Sequence, residues 1–507
     1  MFIRKNKNRS GSVSVQVVDK STGKYRIVKT MGSGRTDQEI EYLYQRAKQF
    51  IFEFKGQSEL FVQRDDALVE SFVSGLKNSQ IQVIGPELIF GKIYDAIGFG
   101  SIKDDLFRHI IIARLYQPGS KLKTIDYLQR FLGITKNVDE LYRFLDKLQG
   151  NYKEAIELIA YQYSKRTLGG HIGIAFYDMT TLHFDASDED DLRKTGFSKV
   201  GKHQKPQIYL GMLVGLHGLP IGYDIFEGNI FEGHTLIPVL QKFENRFNLD
   251  KPVIVADAGL LSIENIRLLE QNGYRYIIGA RLRNTSTHTK KRIQEHTWSD
   301  GRVRNIIKEP SKRLVVSYSS KRAKKDAHNR RRGLLRLEKK IKSGKLSKSN
   351  INNRGYNKYL KLVGEIKVEI DYNKFETDQE WDGLKGYVTN TQLPAQQVIA
   401  NYNQLWQIEK AFRISKTDLQ IRPIYHRLRH RIDAHMCIAF VAYTVYKELE
   451  RVLSENKAGF SVKRAAELTH NMYQLNFQLP ESRHIKSKLL QMSNQQSKLY
   501  QIILKNY

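Results

Sequence analysis

Three acidic residues are placed where chemistry could be done. Asp178 follows the apolar run Ile172-Gly-Ile-Ala-Phe-Tyr177, and Asp257 follows Val253-Ile-Val-Ala256. Short, continuously apolar runs are the pattern of strands covered on both faces. A carboxylate that ends such a strand lies at the carboxyl edge of the sheet, where open α/β sheets bind ligands. Taken singly, either aspartate also reads as a turn or helix-cap residue. Glu409 differs, because it sits inside a helical stretch, Asn401 to Lys416. Tyr402 and Lys416 stand seven residues to either side of it, and Leu405 and Arg413 four, so the five share one helical face. Tyr, Glu, Arg and Lys together make poor core and suit a phosphate beside a metal; a solvated face with an ordinary Glu–Arg pair is the alternative. Two strand-end aspartates and a helical glutamate have a joint logic. Phosphodiester chemistry needs an activated nucleophile and a stabilised leaving oxygen, and two Mg²⁺ ions about 4 Å apart, held by carboxylates, supply both.

The elements that must position these acids follow from periodicity. Val13, Val15 and Val17, the turn Lys20-Ser-Thr-Gly23, then Tyr25 and Ile27 predict a β-hairpin, with a helix from about Thr36 to Phe54. Residues 84–168 read as helical, broken at Pro118-Gly119 and Gly133. Strands follow at Ile172–Tyr177, Gln207–Leu216, Leu219–Phe226, Val253–Ala256 and Tyr274–Ile278, with a helix over Ser262–Asn272. Hairpin strands followed by alternating helix and strand indicate a mixed α/β sheet. Residues 284–383 break this order with short strands at Leu314–Tyr318 and Leu362–Ile370 around a basic helix striped by Leu334, Leu337 and Ile341. The core resumes with Gly386–Thr389, then one long helix from Pro394 to about Lys416 and a second from Ile432 to Val452.

Charge narrows the function. The chain of 507 residues carries a net +30, a surplus that attracts polyanions, nucleic acid above all. The surplus is patchy: Lys321 to Lys348 holds thirteen Lys or Arg, among them Arg330, Arg331 and Arg332, against Asp326 and Glu338. Such a run is an electrostatic footprint for DNA phosphates. Cys437 is the only cysteine, which excludes a disulfide framework and a cysteine-based zinc site. His183, His217 and His234 lack metal-ligand spacing, and Gly32-Ser-Gly34 lacks the ending of a phosphate loop. No apolar stretch is long enough to span a bilayer and no signal peptide is evident, so the expectation is a protein of the bacterial cytoplasm, associated with the nucleoid, with no membrane partner.

Several stretches together resemble the insertion-sequence transposases of the DDE class, in the group whose third motif reads Tyr-x2-Arg-x3-Glu-x6-Lys. They are Tyr177–Leu182, Gly196–Lys199, Pro206–Gly211, Gly228-Asn229, Val255–Leu260 and Tyr402–Lys416. The resemblance runs from about residue 170 to 450 and implies an RNase-H-like fold interrupted by an insertion before the glutamate. It implies Mg²⁺ (or Mn²⁺ in its place) on Asp178, Asp257 and Glu409, and DNA phosphates on Tyr402 and Lys416. The motif's arginine is Leu405 here, with Arg413 as the substitute contact. Trp406 is placed to stabilise a flipped base, with a core role as the alternative. The implied partners are DNA with terminal inverted repeats, a target DNA, and a second copy of the chain in a dimer on DNA. The expected organisation is a hairpin and helix that bind DNA (1–75), a helical domain (76–168), the first part of the catalytic core (169–283), the basic insertion (284–383), the second part with the glutamate helix (384–455) and a helical tail (456–507). A metal-dependent nuclease that cuts without joining, and a non-catalytic DNA-binding regulator, are the competing functions.

Overall fold

A computed structural model describes the chain except for residues 55–68, 71, 186–187, 198–203, 248–249, 261, 309–311, 353–354, 365–366 and 480–482. The Gly196–Lys199 stretch thus lies partly outside the described residues. Two compact units emerge, one of residues 1–81 with 476–487 and one of residues 82–475 with 488–507.

In the first unit β1 (Phe2–Lys7), β2 (Val13–Asp19) and β3 (Arg26–Gly34) form an antiparallel sheet, followed by α1 (Asp37–Phe54). The hairpin signal captures β2 and β3. It misses β1, where Arg4, Lys5 and Lys7 mask the alternation. Val15, Val17 and Ala47 make the small core.

After β4 (Ile81–Val83) come the helices α2 (Lys92–Ile97), α3 (Asp105–Tyr116), α4 (Lys121–Leu132), α5 (Val138–Asn151) and α6 (Lys153–Thr167). Asp104, Ser120 and Asn137 cap α3, α4 and α5 by accepting backbone N–H bonds. Most of these helices share one core with a face of the large sheet, while Tyr127 and Leu128 of α4 pack with Ala113 and Tyr116 of α3 in a small separate cluster.

That sheet has eight strands: β5 (Ile174–His183), β6 (Gln207–Val214), β7 (Pro220–Glu227), β8 (Val253–Ala256), β9 (Tyr276–Ala280), β10 (Val303–Lys308), β11 (Arg313–Tyr318) and β14 (Leu384–Thr389). Their order is β10-β11-β14-β9-β8-β5-β6-β7. β5, β8 and β9 run parallel, and the other neighbours pair antiparallel. α7 (Leu236–Phe247) and α8 (Ile263–Gln271, capped by Ser262) cover one face. Every residue of β6 is buried, because both faces of the sheet are covered.

The stretch 284–383 is divided in its allegiance. α9 (Thr287–Gln294) leads into β10 and β11, which extend the sheet through β14. The basic run forms α10 (Ser320–Lys342), which lays Leu337 on a separate cluster with Tyr359, Leu360 and Ile370. The expected strand at 362–370 is instead a hairpin of β12 (Leu360–Val363) and β13 (Lys367–Ile370), followed by α11 (Tyr372–Thr377).

The expected long helix is interrupted twice. α12 (Ala395–Asn403) ends in a turn at Gln404-Leu405, α13 (Trp406–Arg413) follows, and a π-turn over Ile414–Asp418 closes it. α14 (Arg429–Glu455) is buried through most of its length, with His435 and Cys437 in the core. Among the described residues no helix is long and apolar enough to cross a membrane.

Candidate active site

β5 continues through Asp178 to His183, so this aspartate lies within the strand and not after it. β6 pairs alongside for that whole length, setting Asp178 opposite Met212. Asp257 does follow its strand. Tyr177 pairs with Ala256 across the parallel β5–β8 ladder, so Asp178 and Asp257 are the next residues along neighbouring strands. Strand alternation then fixes their face. Tyr177 and Ala256 enter the core beneath α7 and α8, whereas Phe176 and Val255 enter the core shared with α12, α13 and α14. Both aspartates therefore lie on the second face. The row continues across the sheet to Gly279 and Tyr387, because Ala256 pairs with Ile278 and Gly279 with Tyr387.

α12 and α13 cross this face. Val398, Tyr402, Ile408 and Phe412 anchor them in the same core as Phe176, Val255 and Ile277. Tyr402 is buried, and its hydroxyl donates to Asp257 Oδ1 at 3.2 Å. Room for that hydroxyl depends on Gly279, where a Cβ would lie 2.4 Å from the Tyr402 hydroxyl. Burial, then the Asp257 carboxylate, raises the Tyr402 hydroxyl well above the usual tyrosine range, so it stays protonated.

Glu409 is exposed on α13, beside the exposed Arg413. No ion pair joins Glu409 to Arg413, and among the described residues neither Asp257 nor Glu409 has a salt-bridge partner. In a chain of net charge +30 this leaves acidic charge available to another cation. Trp406 is 54% exposed, so its core alternative is excluded. Leu405 is buried in the turn, and the five-residue stripe is thus not one continuous face. The π-turn re-aims Lys416, as an extra residue in a helical turn must. Its ammonium donates to Thr180 Oγ1, two residues beyond Asp178 on the same face of β5. Arg413 comes within electrostatic reach of the Tyr446 hydroxyl on α14, which donates to Asp418 at 3.2 Å.

The basic run needs one correction. Arg330 is buried, paired with Asp382 and set 5.3 Å from the Phe375 ring centroid, so it anchors α10 instead of facing solvent. Its place every third or fourth residue with Gly333 and Leu337 puts it on the inner side of the helix. Arg331 and Arg332 are exposed.

Lys385 was not anticipated. It lies on β14, and its Nζ is 4.4 Å from the Tyr402 ring centroid. Burial, then the Arg322 guanidinium, pulls it below the usual lysine range, against the Asp257 and Glu409 carboxylates. The one signal for it in the sequence is a lone cation in the strand Leu384-Lys-Gly-Tyr-Val-Thr389.

The donor set, three carboxylates on two strands and a covering helix, suits a hard divalent cation. Among the described residues, though, no group of three or more His, Cys, Asp or Glu is arranged to hold one. Residues 172–445 match the family model of the transposase DDE domain. The chain belongs to that family. A curated relative of this transposase-family chain is the transposase for insertion sequence element IS231E from Bacillus thuringiensis subsp. finitimus. The two are 25% identical over 227 residues, which is 42% of this chain and 45% of the relative. The chain therefore spans about half the length of the curated relative it matches. Among solved structures, the piggyBac transposase synaptic complex with hairpin DNA aligns at 10% identity and a TM-score of 0.40, over 76% of this chain and 78% of that one.

Proposed function

We propose that this transposase-family chain cuts DNA at the terminal inverted repeats of an insertion element and joins the ends to a target. Asp178, Asp257 and Glu409 would hold Mg²⁺, or Mn²⁺ in its place. The observation that carries this reading is that Asp178 and Asp257 each follow the last pair of the β5–β8 ladder, Tyr177–Ala256, on the sheet face covered by the helix that bears Glu409. The core strands run in the order third, second, first, fourth, fifth along the chain (β7-β6-β5-β8-β9), which supports an RNase-H-like core. Bound divalent metal supplies nucleophile activation and leaving-group stabilisation in such a site.

The chain's own residues supply position. The Tyr402 hydroxyl fixes one Asp257 oxygen, and the other would serve as a metal ligand. Lys416, tethered to Thr180, brings a positive charge to the Asp178 side, where a DNA phosphate would be drawn. Exposed Trp406 and Arg413, on the same helix as Glu409, would flank the strand, Trp406 by stacking on a base and Arg413 by a bidentate grip on phosphate. Arg331 and Arg332 on α10 add sequence-independent attraction. A dimer on DNA, with each copy engaging one end, and a place in the cytoplasm beside the nucleoid complete the reading.

The test is incubation of the purified chain with duplexes bearing the element's ends, a target plasmid and Mg²⁺. Cleavage at the ends with joined products is the expected outcome. Cleavage without joining would show a nuclease, and binding without cleavage a regulator.

A further inference from the structure

Lys385 is the only basic residue of β14. Strand alternation puts it on the face of Tyr387, which pairs with Gly279 next to the Asp257 position. The side chain is half-buried between two rings, with Nζ 4.4 Å from the Tyr402 centroid and 5.6 Å from that of Tyr387. Tyr402 in turn holds Asp257. The ammonium forms a direct ion pair with neither Asp257 nor Glu409, yet both carboxylates attract it, while Arg322 repels it. A lysine on a flexible stem, held by ring faces and drawn by two carboxylates that have no salt-bridge partner among the described residues, can be moved by a stronger cation. Among the described residues, the same carboxylates belong to no group of three or more His, Cys, Asp or Glu arranged to hold a metal ion.

We propose that Lys385 is the resident cation of the site, balancing the Asp257–Glu409 side until a divalent metal displaces its ammonium toward the DNA backbone. The proposal rests on reading the three acids as metal ligands. Its consequence is weak metal binding by the DNA-free protein: the metal must first displace a positive charge, and a phosphate gives that charge somewhere to go.

The experiment is Mn²⁺ binding to the full chain without DNA, with free Mn²⁺ followed by electron paramagnetic resonance. Lys385→Met keeps the stem and removes the charge, and should tighten Mn²⁺ binding by about tenfold or more, equivalent to about 1.4 kcal/mol. Lys385→Arg should stay near wild type. Melting temperature without metal serves as the folding control, and Lys385→Gln replaces the Met variant if that variant melts early. Unchanged or weaker Mn²⁺ affinity in the neutral variants, with binding still lost in Asp257→Asn, would overturn the role of Lys385 and leave the three acids in place. No Mn²⁺ binding by wild type or by any variant would overturn both.

Discussion

Gly279→Ala tests the packing that orients Asp257. The added Cβ would stand 2.4 Å from the Tyr402 hydroxyl, 3.1 Å from its ring carbon Cζ and 3.2 Å from the Ala258 backbone nitrogen. Tyr402 has little room to retreat, since its ring meets Tyr387 edge-on at 4.9 Å and lies under Lys385 at 4.4 Å. Overpacking of this kind costs about 1–3 kcal/mol. Tyr402→Phe alone removes the hydrogen bond to Asp257, whose carboxylate is exposed and can turn to water, so its cost should stay at about 1 kcal/mol. In the double variant the atom that clashes most is gone. The alanine should then cost little more than the phenylalanine, with a coupling of about 1–2 kcal/mol. Urea unfolding of the four proteins measures this as midpoint shifts at unchanged slope. Additive losses within about 0.5 kcal/mol would show that the Gly279–Tyr402 contact is not what limits this position.

Arg331→Ala and Arg332→Ala should each flatten the slope of log K against log salt for random duplex by about 0.9 if each loses one phosphate contact, while leaving melting unchanged. Arg330→Ala should instead destabilise by about 3 kcal/mol, read by denaturant unfolding, because it strands the Asp382 carboxylate, whose side chain is only 9% exposed. Burial, then Lys121, Arg431 and Arg114, lowers His426 to about 4, with Asp146 pulling the other way. The unfolded chain therefore takes up this proton first, and stability is lost as pH falls from about 6.5 toward 4, by about 2 kcal/mol at pH 5 for His426 alone. His426→Asn should flatten that part of the curve of melting temperature against pH. Arg413→Ala should slow end cleavage severely and Arg413→Lys noticeably at unchanged melting temperature, whereas near-wild-type rates would leave Lys416 as the cation of this stretch.

The sheet was legible because its strands are apolar and bounded. Val253–Ala256 emerges as β8 with the same ends, and the hairpin of β6 and β7 breaks at His217-Gly218 as its turn residues require. Asp257 could be placed from its run, whereas Asp178 falls within β5, because that strand runs on through the more polar Thr180 and Thr181 to His183. Their common row could not be placed, since it depends on the β5–β8 register. Helical spacing also overstated the Glu409 stripe, because a turn at Leu405 and a π-turn after Arg413 leave no mark in a 3.6-residue period. Charge density alone could not separate Arg330 from its neighbours: its partner Asp382 lies fifty-two residues away. Lys385 and Gly279 act through cross-strand and helix-on-sheet contacts, which one-dimensional patterns do not carry.

The central claim is that Asp178, Asp257 and Glu409 form one reactive centre, and single-turnover nicking of end-bearing duplex in Mg²⁺ measures it most directly. Asp178→Asn, Asp257→Asn and Glu409→Gln keep the side-chain shape while removing the charge. Each should abolish nicking, with duplex affinity held within a few-fold of wild type and the melting temperature preserved. Wild-type nicking by any one of the three, in a folded protein, would contradict the claim for that residue, and nicking by all three would place the chemistry elsewhere.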